Sequence, residues 1–302
     1  MKPNRLLLVI ALSINLVFSL TLLQARAAFP GNNGKIAFLS DRDPDRDPDF
    51  EIFVMNPDGS GQTQLTFNTV MDLHPDWSPD GIKIAFVRGR GDDAEIWVMN
   101  ADGSGQTQLT FNTDIGDFTP AWSPDGTKIA FVRGERDFNP DIWVMNAGGG
   151  GETQLTSKTD MGDLHPAWSP DGFKIAFTRL NDFDNIWVMD ADGSDPTQLT
   201  SDTALGYYNP DWSPDGTKIV FAKGGPDGGH SEIFVMNADG SDPTQLTFNT
   251  DEDWFPDWQT IARAVGGEIL TANILKLIAP FLLIITLAVA GAAGILLKKR
   301  IP

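Results

Sequence analysis

DWSPDG at residues 76–81, AWSPDG at 121–126, AWSPDG at 167–172 and DWSPDG at 211–216 are copies of one phrase, and DWQ at 257–259 begins another. The tryptophans Trp77, Trp122, Trp168, Trp212 and Trp258 follow one another at 45, 46, 44 and 46 residues, the period of a stacked supersecondary repeat. Outward from each phrase the same order recurs. KIAF stands at 35–38, 83–86, 128–131 and 174–177, and KIVF at 218–221. EIFVMN or a close variant follows at 51, 95, 141, 185 and 232, and TQLT closes each unit at 63, 107, 153, 197 and 244. These runs are short, rich in Ile, Val, Phe and Trp, and bounded by Pro, Asp, Asn and Gly, so they read as strands joined by turns.

Each unit therefore predicts four strands: a around the tryptophan, b at KIAF, c at IWVM and d at QLT. Ser-Pro-Asp-Gly shapes the a–b turn and Asn-Ala-Asp-Gly-Ser the c–d turn, through a proline with fixed φ and a glycine tolerant of positive φ. A four-stranded sheet with two apolar faces cannot cover both alone, and radial stacking buries each against its neighbours. The expected fold is all-β: a five-bladed β-propeller of four-stranded antiparallel blades over residues 28–260. The first unit lacks room for its own strand a, because Phe29 aligns with the tryptophan position. Phe255 to Gln259 forms a strand a with no b, c or d behind it. The surplus strand fits the deficit and would latch the ring, against an open arc or a ring completed by another chain.

The termini read separately. Residues 1–27 carry Lys2 and Arg5, an apolar run from Leu6 to Leu23 and Ala25-Arg26-Ala27, the three-part pattern of a signal peptide. Residues 261–276 read as a linker. Leu277 to Leu297 carry no charge and are long enough for a C-terminal transmembrane helix, with Lys298-Lys299-Arg300 in a basic cytoplasmic tail at 298–302. The expectation is an exported, single-pass cell-membrane protein with an extracytoplasmic, monomeric propeller and the membrane engaged through the C-terminal helix.

Between 28 and 265 stand 15 basic and 40 acidic residues, a net charge of −25. That field disfavours nucleic acid and favours cations and basic protein surfaces. Cysteine is absent, which excludes disulfides and thiolate chemistry.

The a–b and c–d turns barely change between units, whereas the b–c and d–a loops, on the opposite face, vary in length and chemistry. Binding is expected there. Three residues before the proline of strand a stand Asp72, Asp117, Asp163, Tyr207 and Asp253, and one before it stand His74, Thr119, His165, Asn209 and Phe255. Asp72, His74, Asp117, Asp163, His165, Tyr207, Tyr208, Asp253 and Trp254 form the expected ligand-binding set; the alternative for the aspartates is local turn capping. The histidines lie in nonadjacent units, which argues against a compact zinc site. Asp41, Asp43, Asp45, Asp47 and Asp49, alternating with Pro and Arg in the first b–c loop, offer hard oxygens for calcium, against a plain solvated loop. No G-x-S-x-G, H-E-x-x-H or phosphate-cradling glycine loop occurs, so the chain reads as a binding module and not an enzyme.

The x-W-S-P-D-G-x-K-I-A-F … I-W-V-M-N-x-D-G-S … Q-L-T pattern resembles the TolB-type, or WD40-like, β-propeller repeat over about residues 29–259. Trp77, Ser78, Pro79, Asp80 and Gly81 match its signature, as do residues 122–126, 168–172 and 212–216; after Trp258, Gln259-Thr260 replaces Ser-Pro. The resemblance implies a scaffold that binds proteins, peptides or glycans. The family's namesake carries an amino-terminal α/β domain and six blades, where this chain has neither that domain nor a sixth unit, so the expected role is a non-catalytic cell-surface binding or scaffold module. The alternatives are a calcium-stabilised structural envelope protein and a carbohydrate-active enzyme.

Overall fold

Alternation in runs such as KIAFVR and EIWVMN sends successive side chains to opposite sheet faces, and both faces are apolar. The computed structural model describes residues 35–42, 50–134, 139–157, 162–180, 184–201, 205–224, 230–248, 253 and 256–257, all within the unit Met1–Ile261. Blade one contains β1 (Ile36–Ser40), β2 (Glu51–Met55) and β3 (Thr63–Gln64). Blade two contains β4 (Asp72–Trp77), β5 (Lys83–Arg88), β6 (Glu95–Asn100) and β7 (Thr107–Gln108). Blade three follows with β8 (Asp117–Trp122), β9 (Lys128–Arg133), β10 (Asp141–Asn146) and β11 (Thr153–Gln154). In blade four stand β12 (Asp163–Trp168), β13 (Lys174–Arg179), β14 (Asn185–Asp190) and β15 (Thr197–Gln198). Blade five closes the series with β16 (Gly206–Trp212), β17 (Lys218–Gly224), β18 (Glu232–Asn237) and β19 (Thr244–Gln245). Neighbouring strands pair antiparallel in chain order, giving four four-stranded sheets and one of three described strands. The fold is a five-bladed β-propeller.

Every hydrophobic cluster lies between blades. Ile52, Val54 and Leu65 of blade one meet Ile84, Phe86 and Met99 of blade two. Ala85, Val87, Ile96 and Val98 of blade two meet Trp122, Ile129, Phe131 and Met145 of blade three. One face of each sheet thus offers small and β-branched side chains, and the facing sheet fills the space with Phe, Met and Ile. Phe86, Phe131, Phe177 and Phe221 are fully buried, each stabilising its interface by about 2–3 kcal/mol. The a strands are innermost: β4 packs on β8, β8 on β12 and β12 on β16, while each d strand sits at the far edge of its own sheet.

The turns match their sequence signals. Ser78 Oγ accepts from Lys83 N–H at 2.9 Å and donates to Asp80 at 2.7 Å, and Gly81 takes φ +68°. In the c–d turns Asp58, Asp102, Asp192 and Asp239 accept from the Ser two residues on, and those hydrogen bonds hold their carboxyls below the usual range.

At its carboxyl end the array continues beyond blade five. The first residue of each a strand, or the one after it in blade five, donates its N–H to a carbonyl of the preceding blade: Asp72 to Phe50, Asp117 to Ala94, Asp163 to Pro140, Tyr207 to Asp184. Asp253 does the same, to Ser231 at 2.8 Å, so it stands against blade five as each a strand stands against its predecessor. Phe255, Trp258 and Gln259 of the expected latch lie outside the described residues.

The expectation of a transmembrane helix is corrected here. The described elements are strands of two to seven residues and one three-residue 3-10 helix, and among the described residues no helix is long and apolar enough to cross a membrane. Spanning about 30 Å of hydrocarbon takes about 20 helical residues. The segment 277–297 on which that expectation fell lies outside the described residues, as do the signal pattern at 1–27 and the tail at 298–302. The described residues form the propeller and hold no membrane-spanning helix, so the expected single-pass membrane localisation and the membrane as a partner do not stand.

Candidate functional site

Strand a carries three positions toward the middle of the ring, and the structure treats each differently. At the first position Asp72, Asp117 and Asp163 are fully buried. Each accepts two hydrogen bonds from the arginine ending strand b of its own blade: Arg88 at 2.7 and 2.8 Å, Arg133 at 2.7 and 2.9 Å, Arg179 at 2.7 and 2.8 Å. Each guanidinium lies over two rings of the same sheet, as Arg88 does over Phe86 at 5.2 Å and Trp97 at 4.7 Å. Asn68 and Asn112 donate to Asp72 and Asp117 at 2.8 and 2.7 Å. Burial pushes the Asp117 carboxyl up, and Arg133 partly offsets it. Blade five replaces both partners together. Tyr207 stands for the aspartate and Lys223 for the arginine, with Nζ 4.9 Å from the centre of the Tyr207 ring. Blade one fills the same cation slot from the loop, with Arg42 lying 5.0 Å from Phe38 and 4.7 Å from Phe53.

These aspartates were expected to face a ligand. They are tied to arginines within their own sheets, and the signal was legible: each arginine follows its aspartate by 16 residues, and Tyr207 is followed by Lys223 at the same distance.

At the second position strand a breaks register, between Leu73 and Asp76 in blade two and likewise in blades three, four and five. His74, Thr119, His165 and Asn209 hold φ of 49°, 45°, 52° and 52°, a left-handed conformation uncommon for residues with a side chain. The following proline, with no N–H to place, suits the bulge. His74 Nδ1 and Thr119 Oγ1 are buried without a hydrogen-bond partner. Burial holds the His74 imidazole below its ordinary value, so it is neutral at neutral pH. Strained backbone with unsatisfied polar atoms at matching places in neighbouring inner strands is the pattern of a ligand-facing surface.

At the third position, just before the repeated tryptophan, stand Asp76, Ala121, Ala167, Asp211 and Asp257. Asp76 Oδ2 accepts from the Trp122 N–H of the next blade at 2.7 Å. Burial pushes its carboxyl up to about 7, against the pull of that bond, and repulsion from Asp257 adds to the rise. The protein around Asp257 pushes its carboxyl up too, although part of the side chain meets water, and it shares a hydrogen bond with Asp211. A bond between two carboxyls requires a proton on one of them. Asp257 is thus bonded to blade five, and its charge is felt at Asp76 of blade two. Sequence reasoning passed over these three residues; the alternation of Asp with Ala ahead of an invariant Trp was the available signal, because the fold accepts either.

Of the other expected residues, Tyr208 lies across Gly206, where a Cβ would meet its hydroxyl, and Trp254 lies outside the described residues. In the acidic b–c loop Asp41 is exposed, while Asp43, Asp45, Asp47 and Asp49 lie outside the described residues. Among the described residues no group of three or more His, Asp or Glu is placed to hold a metal ion.

The family described as the TolB beta propeller domain matches residues 20–182 and 164–268. A comparison with curated proteins finds no match. Among solved structures the chain is similar to a TolB protein of Agrobacterium tumefaciens, 24% identical, covering 69% of this chain and 79% of that one with a TM-score of 0.59. TolB from Acinetobacter baumannii is 20% identical, covering 79% and 70%, with a TM-score of 0.54. An oligogalacturonate lyase in complex with manganese is 17% identical over 71% and 62%, with a TM-score of 0.54. At these identities the likeness is one of fold.

Proposed function

Because the chain belongs to the TolB β-propeller family, we propose that it works as a non-catalytic protein-interaction module, engaging a protein or peptide on the face formed by the b–c and d–a loops. One observation carries this reading. The inner carboxylates that general acid–base chemistry would draw on, Asp72, Asp117 and Asp163, are each held by an arginine fork and have the geometry of structural groups. They position strand a, whereas His74, Thr119, His165 and Tyr208 are the inner-rim side chains offered to a bound segment. The net charge of −25 between 28 and 265 selects basic partners and steers them by long-range attraction.

The test is selection of 12-residue peptides from a display library on the purified protein. Enrichment of sequences rich in Lys and Arg, with binding that weakens as salt is raised from 50 to about 500 mM, supports the reading. Failure to enrich any sequence, together with turnover of a polysaccharide that is abolished by Asp211→Asn or Asp257→Asn, would replace it with an enzyme.

A further inference from the structure

Three phenylalanines stand in the solvent at one place in the repeat. Phe67, Phe111 and Phe248 follow the outer strands β3, β7 and β19 and are 72%, 74% and 77% exposed. Their neighbours hold them there. Thr66, Thr110 and Thr247 accept from the N–H groups of Ile52, Ile96 and Ile233 at 3.0, 2.9 and 2.9 Å and donate to Glu51, Glu95 and Glu232. On the other side Asn68 and Asn112 donate their N–H groups to Glu51 and Glu95. A residue fixed between two bonded neighbours directs its ring outward at little further entropic cost, which is the condition of a preorganised anchor.

The fold does not need these rings. Blades three and four carry Ser157 and Ser201 at the same place, both exposed, and there Asp141 and Asn185 replace the glutamate. The phenylalanines also fall on consecutive blades, since β1 of blade one packs on β4 of blade two, and Asp257, hydrogen-bonded to Asp211 of blade five, lies near enough to β4 for its charge to raise the Asp76 carboxyl. Val70, Ile115 and Leu246, each within four residues of one of these phenylalanines in the chain, are exposed as well.

Resting on the protein-interaction reading above, we propose that Phe67, Phe111 and Phe248 form a docking arc on the rim of blades five, one and two for a protein segment that carries aromatic or aliphatic side chains among lysines and arginines. Charge selects this occupant. A second copy would bring the same net negative charge, and anionic lipid would be repelled in the same way.

The experiment compares wild type with the triple variant F67S/F111S/F248S, which installs the residue the chain itself uses in blades three and four. Peptides selected on the wild type should combine at least one Phe, Trp or Leu with Lys or Arg, and should bind the triple variant at least about tenfold more weakly, at an unchanged urea midpoint. The reverse variant S157F/S201F should bind them more tightly. Equal binding by wild type and triple variant overturns the arc and leaves the interaction reading in place, with the inner rim as its seat. No selected peptide from the wild type overturns both. Phenylalanine-dependent binding to phosphatidylcholine vesicles, with peptides ignored, replaces the protein occupant by a lipid surface and also overturns the proposal.

Discussion

The buried pair Asp117–Arg133 shows how a residue that looks like a ligand group becomes a structural one. Its carboxylate has no exposed surface and accepts from Arg133 and Asn112. Removing one member leaves an uncompensated buried charge, so Asp117→Ala should lower stability by about 3–5 kcal/mol in urea unfolding. The double variant D117Y/R133K, which copies Tyr207 and Lys223 of blade five, should recover most of that loss, because it installs the lysine-over-tyrosine arrangement that the fold already accepts at this place. Asp76 gives the pH dependence. Its folded carboxyl titrates near 7 while an unfolded aspartate titrates near 3.8, so the native state holds the extra proton between those values. Its contribution is complete below the unfolded value and is lost as pH rises through about 7. Thermal melts should therefore show less stability at pH 8 than at pH 5, and Asp76→Asn should flatten that difference by on the order of 1–2 kcal/mol, less than the whole shift because pH 5 already lies above the unfolded value of 3.8.

At the scale of the element, the c–d turn couples one blade to the next. Gly103 has φ +84°, and a Cβ there would lie 2.7 Å from the Leu65 carbonyl oxygen of the preceding blade. Gly59, at φ +80°, has nothing within 4 Å of that point. Both positions strain an L-residue, but only one also meets a neighbour's backbone. Gly59→Ala should cost about 1 kcal/mol and Gly103→Ala about 2–3 kcal/mol more, read from urea midpoints on the same protein. The threonine after each outer strand acts inside its own blade. In blade two Thr110 supplies the acceptor for the buried Ile96 N–H, and Thr110→Val leaves that donor unpaired at a cost of about 1–3 kcal/mol. The strand assignments of these units were legible because apolar alternation and Pro-Asp-Gly punctuation repeat five times over. The register break at His74, Thr119, His165 and Asn209 was not, since a left-handed bulge ahead of proline leaves no compositional mark beyond the proline itself.

For the whole molecule the deciding feature is where the chain's last described residues lie. Asp253 and Asp257 are bonded to blade five, and the Asp257 charge is felt at Asp76 of blade two, so the end of the repeat array lies between its last blade and its first complete one. Deleting the chain from residue 250 onward should split or broaden the calorimetric unfolding transition and lower its midpoint, whereas the full propeller should melt in one cooperative step. A truncated chain with an unchanged single transition would show that these contacts do not hold the ring.

The repeat phrase alone determined the architecture, since an apolar sheet with two faces to hide has few solutions besides stacking around an axis. It also set the turns, whose φ angles belong to particular residue types, and the negative field, which is a sum over the chain. What it could not determine was which carboxylates of different blades lie near one another. The Asp72–Arg88 pair repeats a 16-residue spacing within one sheet, but the Asp257 charge raises the Asp76 carboxyl only because the ring brings distant blades near one another. Pairing of charges and exposure of rings are properties of distance in space, and tertiary structure alone sets those distances.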